Sequence, residues 1–153
     1  MICNNVCLAP DIAAYIAGIV DGEGSLTIHA QKEPSGIYHF HAKLSISNTN
    51  EKLMIWLKNN LLIGYSYKTK RKQPHNDVYT YTISANGLRW LLPQIRPYLV
   101  LKKEQADLIL EYLQNHSWSN RNFNAVEVQS LRKKISCLNG HFKRPNPNLG
   151  VIL

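Results

Sequence analysis

At 153 residues and 44% hydrophobic content, the chain can bury one sizeable core and has little room for a second domain. Eighteen Lys and Arg against ten Asp and Glu give a formal net charge of +8 and a pI near 9.5, which favours a polyanionic partner such as nucleic acid, although a merely soluble basic protein carries the same sign. No apolar run is long enough to span a bilayer and no basic segment precedes an apolar stretch at the N-terminus, so neither membrane insertion nor secretion is expected.

The three cysteines, Cys3, Cys7 and Cys137, are too few and too scattered for a disulfide framework, and they fit a reducing, intracellular setting, whether an organelle or a bacterial cytoplasm. Cys3 and Cys7 with His29 or His141 lack the spacing of a zinc finger or ribbon.

In chain order, residues 1–10 read as an N-terminal extension, and Asp11 after Pro10 is placed as the N-cap of a first helix. Ile12, Tyr15, Ile16, Ile19 and Val20 fall on one helical stripe; Ala14, Ala17, Gly18 and Asp21 fall on another. Glycine inside a helix costs about 1 kcal/mol relative to alanine, so Gly18 on a small-residue face suggests a partner backbone in close approach. Gly22 and Gly24 are expected to stop the helix through their freedom at positive φ, leaving Glu23 at its base.

Two alternating runs follow, Ser25 to Gln31 and Tyr38 to Ser47, joined by the turn residues Glu33, Pro34, Ser35 and Gly36. Leu26, Ile28 and Ala30 in the first, and Phe40, Ala42, Leu44 and Ile46 in the second, are assigned to the core. Thr49 or Asn50 caps a second helix on the stripe Leu53, Trp56, Leu57 and Leu61. A second strand pair covers Tyr65 to Lys70 and Val78 to Ser84, with Tyr79, Tyr81 and Ile83 inward. Pattern alone does not decide whether Tyr65 and Tyr67 or Lys68 and Lys70 face outward in the third strand. Asn86 is placed as the cap of a third helix bent or ended by Pro93 and Pro97. Helices near 102–116 and 124–138 complete the folded unit of residues 11–138, and residues 139–153, rich in Pro and Asn, read as a tail.

The outward residues Thr27, His29, Gln31, His41, Lys43, Ser45, Ser47, Thr80 and Thr82 set donors and acceptors at two-residue spacing. An antiparallel ribbon of that kind fits the major groove, where base edges present a distinguishable code; a solvated sheet face is the bland alternative. Lys68, Lys70, Arg71 and Lys72 add charge suited to phosphates. Arg132, Lys133, Lys134, Lys143 and Arg144 do the same, although such runs are often only solvated.

Residues 16 to 24, Ile-Ala-Gly-Ile-Val-Asp-Gly-Glu-Gly, resemble the LAGLIDADG motif of homing endonucleases, with Val20 for isoleucine, Gly22 for alanine and Glu23 for the usual aspartate. The resemblance implies an α+β fold in the order α-β-β-α-β-β-α over residues 11 to about 116, with one saddle-shaped antiparallel sheet over DNA and an additional C-terminal helix. Since only one motif copy occurs, it implies the single-motif subgroup that works as homodimers, here through Ala14, Ala17, Gly18 and Asp21. It further implies an intron-encoded, site-specific endonuclease that breaks both strands of a long, partly palindromic DNA target.

Phosphodiester hydrolysis needs a divalent ion to activate water and stabilise the leaving oxygen, and magnesium prefers hard carboxylate oxygens. The resemblance places Glu23, with Gly22, at a Mg2+ site in which Mn2+ or Ca2+ can substitute for binding. It matches Lys102 to the family lysine facing the attacking water or the phosphate. Asn50 falls at a polar position that orders water near the metal, although a helix cap is an equal reading of it. Asp21 reads better as a structural acid than as a ligand, and Glu23 as an ordinary surface acid is the competing view of that residue. A non-cleaving binder of the same fold, an RNA-splicing maturase or a DNA-binding regulator, is the alternative function. A small-molecule enzyme has little support, because no nucleophile and base pair or phosphate loop is present.

Overall fold

The computed structural model describes residues 7–116 and 124–140. Cys3, His141, Lys143 and Arg144, with most of the expected extension and tail, lie outside the described residues. The elements run α1 Pro10–Glu23, β1 Gly24–Lys32, β2 Tyr38–Asn48, α2 Glu51–Leu61, β3 Tyr65–Thr69, β4 Val78–Ser84, α3 Ala85–Ile95, a 3-10 turn Arg96–Tyr98, α4 Lys103–Asn115 and α5 Ala125–Leu138. All four strands form one antiparallel sheet in the order β1-β2-β4-β3, so the two hairpins meet along β2 and β4. No helix among the described residues is long and apolar enough to cross a membrane.

Helix α1 begins one residue before the expected cap. Pro10 stands at the first helical position, where its fixed φ suits the helix and its missing N–H costs nothing. Ala9 is therefore the N-cap and Asp11 lies in the first turn, where its charge complements the helix dipole. The buried stripe is Ala13, Ile16, Ala17, Ile19 and Val20. Tyr15, on the bulky stripe read from the sequence, is 56% exposed and meets the Trp56 ring edge-on at 4.8 Å. The small-residue stripe divides accordingly: Ala17 is fully buried within its own subunit, while Ala14 and Gly18 face outward.

One face of the sheet carries the core. Leu26 and Ile28 of β1, Phe40, Ala42, Leu44 and Ile46 of β2, and Tyr81 and Ile83 of β4 pack against α1, α2, α3 and α4 in a single cluster that also takes in Val128 and Ile135 of α5. Tyr112 of α4 donates its hydroxyl to the Phe40 carbonyl at 2.9 Å, which satisfies a polar atom that burial would otherwise leave costly. Strand β4 passes into α3 without a loop, so Ser84 rather than Asn86 is the N-cap. The helix runs through Pro93 to Ile95 before tightening into the 3-10 turn. Arg96 then pairs with Asp107 through two bonds of 2.5 and 2.9 Å, tying that turn to α4.

Helix α5 covers the outer edge of β1. Arg132 Nε donates to the Ile28 carbonyl at 3.1 Å and Asn139 Nδ2 to the Leu26 carbonyl at 2.8 Å, so two of the edge strand's outward acceptors are occupied. Arg132 thus serves the fold as well as adding charge.

Leu62 closes α2 in the left-handed conformation, φ 53 and ψ 13, with its amide on the Lys58 carbonyl and its side chain 83% exposed. A β-carbon is disfavoured in that conformation and the side chain returns little burial. Leu62→Gly is therefore expected to stabilise the chain by about 1 kcal/mol, read as a melting temperature raised by a few degrees.

Candidate active site and nucleic-acid interface

The junction of α1 and β1 has no loop. Glu23 is the last helical residue and Gly24 the first of the strand. The two glycines do not use positive φ here: Gly24 has φ −81 and ψ 149, open to any residue. Its requirement is space, since a Cβ would stand 2.6 Å from the Val20 carbonyl oxygen and 2.9 Å from the Val20 Cα. That close approach sets Glu23 directly at the lip of the sheet.

Asp21 binds the base of α1 to the chain leading into α4. Its carboxylate accepts the amides of Val100 at 2.7 Å and Lys102 at 2.9 Å, and the Lys102 ammonium donates back to the Asp21 carbonyl. Lys102 is the N-cap of α4, where a cation opposes the helix dipole. Its side chain reaches the carbonyl end of α1 instead, the favourable pole for a positive charge. Burial raises the Asp21 pKa, but the Val100, Lys102 and Leu101 amides and the Lys102 charge together hold it below the ordinary 3.8.

Asp21 therefore acts as a structural acid within its own chain, each carboxylate oxygen accepting one backbone amide. Because folding depresses this pKa, the stabilisation it gives is complete above 3.8 and is lost as pH falls through the lower folded value. Asp21→Ala is expected to cost about 2 kcal/mol in thermal unfolding at neutral pH, since charge-assisted hydrogen bonds are removed, and to free Lys102 from its position.

Glu23 lies beside this clamp with an exposed carboxylate that makes no hydrogen bond or ion pair among the described residues. No group of three or more His, Cys, Asp and Glu that could hold a metal stands together among them. Asn50 takes the capping role of the two it could fill: its Oδ1 accepts the Lys52 amide at 3.0 Å and starts α2.

The sheet's open face is the second component. Register sets Ser25 opposite Ser45, Thr27 opposite Lys43, His29 opposite His41 and Gln31 opposite His39. Lys43, Ser45 and Ser47 in turn oppose Ser84, Thr82 and Thr80. The residues expected on this face from β1, β2 and β4 thus share it. Thr80 and Thr82 share it without being accessible, at 7% and 3% exposure. Tyr65 and Tyr67 of β3 stand opposite Thr82 and Thr80 and cover them, and Ser47 Oγ lies 3.0 Å from Thr80 Oγ1. As β4 is an inner strand, its small side chains are shaded from both sides.

The same register corrects the third strand. Lys68 opposes Tyr79, on the helix side of the sheet, where its ammonium pairs with Asp77 at 2.9 Å and lies over the Tyr79 ring at 5.2 Å. It closes the β3–β4 loop and is not a phosphate contact on the open face. Lys70 and Arg71 are exposed in that loop.

At the other end of the face, burial lowers the His29 pKa below the ordinary 6.5, and the neighbouring Lys43, Arg132 and His41 lower it further. The imidazole is therefore neutral at pH 7, able both to donate and to accept. Sequence pattern left the orientation of Tyr65 and Tyr67 open, and the register places them on this face. The sequence reading missed Val100 and Leu101, apolar residues 81% and 71% exposed beside the base of α1; their only sequence signal is an apolar pair just before Lys102.

Comparison with known proteins agrees with this geometry. A family profile described as LAGLIDADG endonuclease matches residues 16–113. DNA endonuclease I-CreI of Chlamydomonas reinhardtii is 34% identical over 105 residues, covering 65% of this chain and 61% of I-CreI, so the match spans about three fifths of that relative. The homing endonuclease I-CvuI, solved with an I-CreI target in the presence of magnesium and the DNA not cleaved, superposes with a TM-score of 0.70 at 22% identity, covering 89% of this chain and 87% of that one. The I-SmaMI LAGLIDADG homing endonuclease bound to cleaved DNA gives 0.63 at 20% identity, covering 95% of this chain and 53% of that one. At these identities the two structural likenesses are of fold.

Proposed function

Because the chain belongs to the LAGLIDADG endonuclease family, we propose that it is a site-specific DNA endonuclease, two copies of which cut both strands of a long, partly palindromic duplex by divalent-metal-dependent phosphodiester hydrolysis. One observation carries the reading: an unengaged carboxylate, Glu23, stands at the lip of a polar sheet face, beside a lysine clamped two residues away.

Glu23 and the Gly22 carbonyl would hold the ion. Both offer hard oxygens, and the carbonyl end of a helix favours a cation. With Glu23 the one free carboxylate described at this junction, the remaining ligands come from DNA phosphate oxygens and from Glu23 of a second copy. Mg2+ is the physiological choice in this reading, with Mn2+ or Ca2+ able to support binding. When bound, the ion supplies an acidified water and stabilisation of the leaving oxygen. Lys102 faces the same phosphate and stabilises its developing negative charge from a fixed position. Asp21 positions Lys102 and touches no reacting atom.

The second copy docks on the outer face of α1. A Cβ at Gly18 or Gly22 would meet nothing within 4 Å, so the subunit itself has no need of glycine there. A helix backbone packed against that face does need it. Val100 and Leu101, held outward by Asp21, extend the contact surface.

Incubation with duplexes carrying candidate intron-insertion sites tests the function. Cutting of both strands in Mg2+ and none in a chelator is expected; no divalent-ion-dependent cutting of any of them overturns it. Affinity is expected to fall steeply between 50 and 200 mM salt, a range over which a protein making several phosphate contacts loses about a thousandfold.

A further inference from the structure

We propose that the rings of Tyr65 and Tyr67 read the methyl groups of thymines, so that apolar contact helps to specify one stretch of each half-site. The inference rests on the reading of the open face as the DNA-binding surface and goes beyond it by assigning a base chemistry to β3. Elsewhere that face carries donors and acceptors: His29, Gln31, His41 and Lys43 on β1 and β2. Beside β3 the Thr80 and Thr82 hydroxyls are out of reach, and what remains polar is the Thr69 hydroxyl and the phenol tips of Tyr65 and Tyr67.

Thr80 and Thr82 are closed over, and the Thr82 hydroxyl is buried with no hydrogen-bond partner. Most of the surface this stretch exposes belongs to the two rings, 61% and 48% accessible, with centroids 6.2 Å apart and planes tilted by 30°. Neither is drawn into the core, because register fixes both on the open side, opposite Thr82 and Thr80. The net charge of +8 and continuity with the polar part of the face identify the occupant as duplex DNA. Of the groups that base pairs present in the major groove, the thymine C5-methyl is the apolar one. Burying a methyl against an aromatic ring strengthens binding by about fourfold.

A randomised duplex library selected with the wild-type chain in Ca2+ gives the half-site. Thymines are expected at positions whose preference disappears with Tyr65→Ser and Tyr67→Ser, while the positions read by β1 and β2 persist. Deoxyuridine in place of those thymines, tested with the wild-type protein and so free of any folding effect, is expected to weaken binding by about fourfold per methyl group. At the same positions, 5-methylcytosine is expected to bind about fourfold more tightly than cytosine. Selection of a defined half-site with equal affinity for uracil and thymine throughout it overturns the tyrosine assignment and leaves the DNA-binding reading intact. Failure to enrich any sequence overturns both.

Discussion

Glu23→Gln is expected to lower single-turnover cleavage by at least about a thousandfold, the loss of a metal contribution of several kcal/mol, while specific binding in Ca2+ changes by less than about threefold. The substitution keeps the shape of the side chain and removes its charge. Since Glu23 is exposed and engages no other group, nothing in the fold depends on that charge. The opposite change is informative as well: Glu23→Asp restores the family's usual acid on a shorter arm and is expected to retain cutting. A cleavage time course beside a mobility-shift titration measures both quantities on one preparation. Robust cutting by the Glu23→Gln protein would remove this residue from the metal site and the main residue-level support for the mechanism with it.

Gly18→Leu is expected to convert a dimer into a well-folded monomer and to reduce cleavage by more than about a hundredfold, since each half-site loses the partner that completes it. The added side chain enters open space in the isolated subunit. There, replacing an exposed helical glycine by leucine stabilises by just under about 1 kcal/mol. The melting temperature of the monomer therefore rises as the dimer is lost, a combination that a general packing defect cannot produce. Ala17→Leu is the contrast: Ala17 is fully buried in its own subunit, and enlarging it is expected to cost about 1–3 kcal/mol of stability. Sedimentation velocity, alone and with target DNA, decides the matter. A wild-type chain that is monomeric in both states would end the homodimer reading.

The strands were legible because burial falls on one face only. In β1 and β2 every second residue is apolar, and Leu26, Ile28, Phe40, Ala42, Leu44 and Ile46 all lie in the core as their alternation dictates. Strand β3 gave no such contrast: it is an edge strand exposed along its whole length, and only its pairing with β4 tells Tyr67 from Lys68. Helix α1 is ambiguous in a similar way: positions 12, 15, 16 and 19 and positions 13, 16, 17 and 20 are both acceptable helical stripes, and the structure buries the second while Trp56 takes the Tyr15 ring outside the core.

At the site, Glu23 and Lys102 were legible through the motif and its resemblance. The work of Asp21 was not, because its partners lie 79 and 81 residues away and no local pattern records them. Asn50 shows the reverse case. Its capping role is local, written in the helix that follows it, and the structure shows that role directly.

The distance spanned by the Asp21 clamp bears on how the protein comes into being. Chains fold from the N-terminus as they are synthesised, and contacts distant in sequence close late. A nascent chain with only its first three helices clear of the ribosome already has the strands that form the polar face, yet Lys102 is still to emerge and Asp21 has no amides to accept. The full set of groups at the base of α1 thus comes together only after most of the polypeptide exists, so a truncated product of translation can carry the polar sheet face and Glu23 while lacking the lysine that stands beside them.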